Sequence, residues 1–272
     1  MNKKFLTILI ISVVASGLSL GSVFAQKPDT SGNVLLPEQE GTYDVPGHPD
    51  LKLKVFVYQP KEKQDSRPSQ NSSTVCNLQD LNSTTTIGSA GWHLPLGSWV
   101  YTLNISSVPS GVGSANLATI ATDAFNRWSS ASGSKVSFIK NSSNTTIKKA
   151  SLDGKNIISW GTAPGSALAI TYTWYNKSTG LVTETDTIMN NKFSWSWSNP
   201  VNWTSPATTC ANANAYDAQD ILTHELGHWM GLNDFYDATN YQNATMYGYG
   251  AKGEIKKDTL STGDVDGVLA IY

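Results

Sequence analysis

The chain has 272 residues, enough for one sizeable core with accessory segments. Its 19 basic and 21 acidic residues leave a formal net charge of −2, so there is no surplus of Lys and Arg to neutralise a phosphate backbone, and no nucleic-acid partner is expected. An abundance of Ser, Thr, Asn, Gly and Trp suits a β-containing extracellular protein with polar loops.

Lys3 and Lys4 precede an apolar run from Phe5 to Val14, continued by small residues to Val23-Phe24-Ala25. A basic start, an apolar middle and small residues at the end make residues 1–25 a secretory signal peptide, cleaved after Ala25. The alternative is an uncleaved membrane anchor, but Gly17, Ser19, Gly21 and Ser22 interrupt the second half of the run. No later stretch is apolar enough to span a bilayer, so a secreted, soluble mature form is expected. Residues 26–50, with Pro28, Pro37, Pro46 and Pro49, read as extended or loosely ordered. Residues 51–58 alternate as a strand, and the polar stretch 61–74 reads as a linker. Residues 26–75 are therefore a pro-segment or N-terminal extension, and 76–272 the main domain.

From Trp92 aromatic residues recur. Residues 99–105 read as a strand. Leu117, Ile120, Ala121, Ala124, Phe125 and Trp128 then form a helical apolar stripe, with Ser114 as N-cap and Gly133 past the end. Strands are expected at 135–139, 156–160, 167–175 and 181–189, with a turn at 176–180. A second helix covers about 217–231 and a third 262–271. This order gives an α+β plan.

The decisive segment is Thr223-His224-Glu225-Leu226-Gly227-His228-Trp229-Met230-Gly231-Leu232-Asn233-Asp234. Two His four apart on a helix lie within ~40° of each other and one turn apart, so both imidazoles can face one zinc ion. Glu225 is rotated by roughly 100° from His224. Its carboxylate then sits beside a metal-bound water rather than on the metal, as a general base and later acid. Gly231 can take the left-handed conformation that ends a helix. The chain then turns, and Asp234 can swing back as an oxygen ligand. Asp237 is the nearest substitute, at the wrong spacing. Cys76 and Cys210, in an exported chain, are expected to form a disulfide.

The run His224-Glu225-x-x-His228-x-x-Gly231-x-x-Asp234 resembles the extended zinc motif of the metzincin metallopeptidases, in the minority version with Asp as third ligand. Thr245-Met246-Tyr247-Gly248 sits where that clan has its methionine turn, and residues 260–272 are similar to the last helix of matrixins. Ile158-Ser159-Trp160-Gly161 through Asp186 and Asn190 is similar to the sheet of matrixin-like prokaryotic proteins. The resemblance covers about 92–272. It implies a metzincin-like catalytic domain: a five-stranded twisted mixed sheet, two long helices, and an active-site cleft above a small C-terminal subdomain ending in a helix. It also implies an extended polypeptide substrate lying antiparallel to an edge strand around 167–173, one catalytic Zn2+, and Met246 beneath it.

Tyr247 and Tyr249 are candidates to line the cleft, with packing as the simpler role. Asp186, Asp258, Asp264 and Asp266 are candidates for Ca2+, with solvated carboxylates or helix caps the simpler reading. His48 and His93 alone cannot supply a second, structural zinc site. In matrixins a pro-segment thiolate can cover the zinc; Cys76 lies upstream as such a residue would, but without the family's surrounding motif, and the disulfide with Cys210 is preferred.

The functional expectation is a secreted zinc endopeptidase, a monomer with no membrane span. One rival is a zinc peptidase of another clan using a downstream Glu, for which Glu254 is the only residue available. The other is a catalytically silent binding or surface protein that retains the fold.

Overall fold

The computed structural model describes residues 35–61, 74–76, 78, 81–199 and 210–272. The expected signal peptide and most of the expected linker lie outside the described residues. In chain order the strands are β1 (Gly41–Val45), β2 (His48–Pro60), β3 (Thr74–Cys76), β4 (Gly97–Leu103), β5 (Val136–Lys140), β6 (Ile157–Gly161), β7 (Ala169–Asn176), β8 (Val182–Asn190), β9 (Trp195–Ser196), β10 (Cys210–Asn212), β11 (Tyr216–Asp217) and β12 (Tyr249–Gly250). The helices are α1 (Leu117–Ala131), between β4 and β5, α2 (Ala218–Trp229), after β11, the single turn α3 (Ala238–Tyr241), and α4 (Thr262–Ile271). Among the described residues no helix is long and apolar enough to cross a membrane.

The main sheet runs β1-β2-β7-β8-β6-β4-β5, with β12 paired to β2. Five of these strands, β5-β4-β6-β8-β7, are the expected twisted mixed sheet. β4, β5, β6 and β8 run parallel, and β7 returns antiparallel to β8. The other three strands correct the expectation of a five-stranded sheet with β7 at its edge. Residues 41–60, read as loosely ordered up to Asp50, form a hairpin that adds to β7. Its two-residue turn is Pro46-Gly47, with Gly47 at φ +80°. Proline followed by a residue of positive φ is what a type II turn requires, so the proline that looked like a breaker is the corner of the hairpin.

Side chains alternate between two cores. Toward the helices, the sheet packs Phe56, Leu103 and Trp160 against Ile120, Phe125 and Trp128 of α1 and Ile221, Leu222, Leu226 and Trp229 of α2. On the opposite face, Leu53, Val55 and Val57 of β2 pack with Ile170, Tyr172 and Trp174 of β7. The stripe read from the sequence is the buried face of α1, whose Trp128 Nε1 donates to Thr223 O of α2 at 2.8 Å. The cap expected at Ser114 is not there. Ser114–Asn116 makes a turn of 3-10 helix first, and α1 follows without a side-chain cap. α4 matches its expected span, closed by a capping box between Ser261 and Asp264. β3 and β10 form a separate antiparallel pair in which Cys76 stands opposite Cys210, and Cys210 is not a free thiol.

Candidate metal centre

α2 begins at Asp217, whose carboxylate accepts from the backbone N–H of Gln219 and Asp220. Every residue of the helix is buried, so its orientation is fixed on all sides. His224 and His228 face the same side one turn apart. His224 Nδ1 lies 2.7 Å from Thr245 O, and His228 Nδ1 lies 2.9 Å from Leu232 O. A carbonyl can only accept, so each Nδ1 carries a proton, and Nε2 is the ring nitrogen that can offer a lone pair to a metal. Second partners of this kind fix the tautomer a metal-binding imidazole needs.

The helix ends as the sequence requires. Gly231, at φ +93°, follows the last turn; Gly231 N donates to His228 O and Leu232 N to Gly227 O, the paired bonds of a Schellman motif. A Cβ on Gly231 would stand 2.3 Å from Trp92 O, so the close approach as well as the φ demands glycine. The reversal brings Asp234 back: Oδ1 is 3.0 Å from His224 Nε2 and Oδ2 is 3.5 Å from His228 Nε2. Among the described residues, His224, His228 and Asp234 offer donor atoms that all lie within 4.8 Å of one another. Both Nε2 atoms and Asp234 Oδ1 are buried without a hydrogen-bond partner. Two neutral imidazoles and a carboxylate are a donor set that zinc accepts, with room left for a fourth ligand. Burial works to raise the Asp234 carboxyl, but the charges of His228 and His224 outweigh it and hold it well below the usual carboxylate range.

Glu225 is fully buried beside the imidazoles. Its Oε2 accepts from Thr171 Oγ1 at 2.5 Å, and Oε1 has no partner. Thr171 Oγ1 in turn lies 2.7 Å from Thr187 Oγ1, which accepts from Trp229 Nε1 at 2.9 Å. Because the carboxylate only accepts and the indole only donates, the hydrogens are ordered: Trp229 to Thr187, Thr187 to Thr171, Thr171 to Glu225. Burial raises the Glu225 pKa, opposed only in part by His224, His228 and the Thr171 hydroxyl.

Met246 is buried against the middle of the motif: a Cβ on Gly227, between the two His, would meet its sulfur at 2.2 Å. The turn that carries Met246 is held by Asp264, whose oxygens accept from Thr245 N at 2.9 Å and Met246 N at 3.1 Å. The cap of α4 thus positions Thr245, and Thr245 positions His224. Thr171, Thr187 and Asp264 were not singled out for these roles by the sequence. Thr171 and Thr187 meet only through the register of β7 and β8, and no local signal could have shown it.

The remaining candidates fall elsewhere. Asp237, the substitute third ligand, caps α3 on the surface. Glu254, the ligand a rival clan would need, pairs with Lys256 and Lys257. Tyr247 is buried, while Tyr249 in β12 lies beside β2. Asp186 and Asp264 spend both oxygens on backbone N–H groups, and Asp258 lies 3.5 Å from Arg127. Asp266 is exposed on α4.

No curated protein matches the sequence. A family model described as Matrixin matches residues 98–272, which run from β4 to the end of α4 and hold every residue of this site. The chain belongs to the matrixin family of zinc metallopeptidases.

Proposed function

We propose that this chain is a secreted zinc endopeptidase that cleaves internal peptide bonds of extracellular proteins. His224, His228 and Asp234 are the zinc ligands and Glu225 the general base and acid. The observation that carries the reading is the convergence of three unsatisfied metal donors beside a buried carboxylate with one oxygen left unbonded. A zinc ion held there would polarise the scissile carbonyl and bring a water's pKa down toward ~7.

The chain's own residues do the rest. Thr171 holds Glu225 by Oε2, leaving Oε1 to take a proton from the attacking water and deliver it to the departing amine nitrogen. The raised pKa of Glu225 suits that double role, since a carboxyl nearer neutrality both accepts and releases a proton readily. Met246 and Thr245 form the floor that keeps His224 in register. The opposition of Cys76 and Cys210 supports a disulfide that ties β3 to β10, rather than a thiolate reserved for the metal.

Hydrolysis of a denatured protein, followed with and without a chelator and in Glu225→Gln, tests the reading. Turnover should vanish in both controls while the variant retains one zinc. A silent binding protein would show no turnover in any form.

A further inference from the structure

Residues 82–92 lie upstream of β4 and outside the residues that match the family, and they supply no donor to the metal centre. They nevertheless run along the loop that returns the third ligand. Ser89 and Leu232 stand opposite each other as an antiparallel bridge. On one side of that pair Ala90 N donates to Gly231 O at 2.7 Å, and on the other Asn233 N donates to Gly88 O at 3.1 Å. Asn233 Nδ2 adds a third bond, to Ser89 O at 2.9 Å. Trp92 closes the segment against α2. Its Nε1 donates to His228 O at 3.2 Å, and a Cβ on Gly231 would collide with its carbonyl oxygen. The other end is fixed to α4. Asn82 Oδ1 accepts from Thr262 N at 2.8 Å, Ser83 O accepts from Gly263 N at 2.8 Å, and Ile87 N donates to Gly263 O at 3.0 Å.

Two of the proposed ligands depend on what this segment holds. Leu232 O accepts from His228 Nδ1, so the place of Leu232 decides where that imidazole points. Asp234 hangs between two pinned neighbours. Asn233 is bonded to Gly88 and Ser89, and Phe235 to the methionine turn, with Phe235 N donating to Met246 O at 3.0 Å and Gly248 N to Phe235 O at 2.9 Å. A carboxylate on a free loop must be ordered when a metal binds, whereas one held on both sides is ordered beforehand.

We infer that residues 88–92 are a strap that positions the metal ligands, with Asn233 and Trp92 as its positioning residues. Asn233 ties the strap to the residue next to Asp234, and Trp92 ties it to the end of α2 that carries His228. This rests on the reading of His224, His228 and Asp234 as zinc ligands. The unit that holds the ion therefore starts upstream of the matched residues, and a chain lacking the strap would keep every ligand and lose their alignment.

The test compares the full chain, loaded with one zinc or one Co2+, with its Asn233→Ala and Trp92→Phe variants. Each removes a single donor: Asn233 is partly exposed, and phenylalanine keeps an aromatic ring at position 92. Zinc affinity, read by competition with a chromophoric chelator, should fall about 10–100-fold in each, the span that loss of an outer partner costs. The visible absorption band of bound Co2+, which reports the geometry of its ligands, should shift in both. Bonds that served the fold alone would lower the urea midpoint of the zinc-free chain and leave affinity and band where they were. Affinity within threefold of the parent, or a band that does not move, overturns the inference. Should Trp92→Phe fail to fold, Asn233→Ala decides by the same two readings. Neither reading needs turnover. A parent that binds no zinc sinks the ligand reading and the strap together. A parent that binds zinc, with variants that hold it less tightly and hydrolysis in none, supports the strap and sinks the peptidase reading alone.

Discussion

Two pairs of buried carboxylates flank the same two strands, and they are used in opposite ways. Glu184 and Asp186 of β8 face the outer core, opposite Trp174 and Tyr172. Glu184 accepts from Asp153 N and Gly154 N, and Asp186 from Ser151 N and Ile157 N, so all four oxygens are bonded. On the helix side, Glu225 has one oxygen bonded to Thr171 and one without a partner, and Asp234 Oδ1 has only the ion-pair contact with His224. Burial works to raise the pKa of all four, and only Asp234, set between two imidazoles, ends below its ordinary value. Burial of a charge therefore does not mark the site. Spent acceptors clamp a loop, and unspent ones beside lone pairs wait for a cation and a proton.

The largest expected effects break the inner pair. Glu225→Gln should lower turnover about 10²–10⁴-fold, the span that positioned acid–base groups supply, with one zinc retained by metal analysis. A variant within tenfold of the parent would mean that the unbonded oxygen is idle. Asp234→Ala should weaken zinc more than the ~10–100-fold that loss of an outer partner costs, read by competition with a chromophoric chelator. Unchanged zinc affinity would remove Asp234 from the ligand set.

The contrast also shows what can be read from residues in order. His224, Glu225 and His228 were legible because one turn of helix fixes their relation without reference to the rest of the chain. Asp234 was legible because Gly231 announces the reversal that returns it. The outer and inner faces of β7 and β8 were not, because which threonine meets which depends on a register set by strands far apart in sequence. β2 was legible as a strand from its alternation, but its partner was not, and so the sheet was expected to end at β7, short of β2, β1 and β12. Pro46 was misread because proline breaks a strand and also turns a hairpin, and only the positive φ of Gly47 decides which.

Breaking the outer pair should cost folding and spare chemistry. Asp186→Ala leaves Ser151 N and Ile157 N without their acceptor, at about 1–3 kcal/mol for each orphaned donor. The expected result is a lower denaturation midpoint, with zinc content and turnover per folded molecule unchanged. Thr171→Val lies between the two cases. It removes the donor to Glu225 Oε2 while keeping the shape, and should lower turnover roughly tenfold, worth about 1.4 kcal/mol, with zinc affinity unaltered. A Thr171→Ser variant, which keeps the hydroxyl, should recover most of the loss. Full activity in the valine variant would show that Glu225 needs no holder.

The smallest effect separates the pairs by pH. Burial first, then the nearby charge of Asp153, pushes the Glu184 carboxyl up to about 7 from an ordinary 4.5, against the backbone N–H groups that favour its ionised form. Between those two values the folded chain holds a proton that the unfolded chain has released. Stability from this group is therefore present below about pH 4.5 and is lost as pH rises through about 7. Glu184→Gln has no proton to lose. The difference in urea midpoint between variant and parent should shift in favour of the variant as pH rises across that window, then stay level above it. Titrating groups remote from Glu184 cancel in the difference, and Asp153 and Asp186, which feel its charge, shift only if Glu184 itself changes charge, so a flat difference would show that the bonds from Asp153 and Gly154 already hold Glu184 ionised. In that case the outer clamp would be a set of charge-assisted bonds, stronger than the neutral ones inferred from its burial, and its contrast with the unspent carboxylates beside the metal donors would widen.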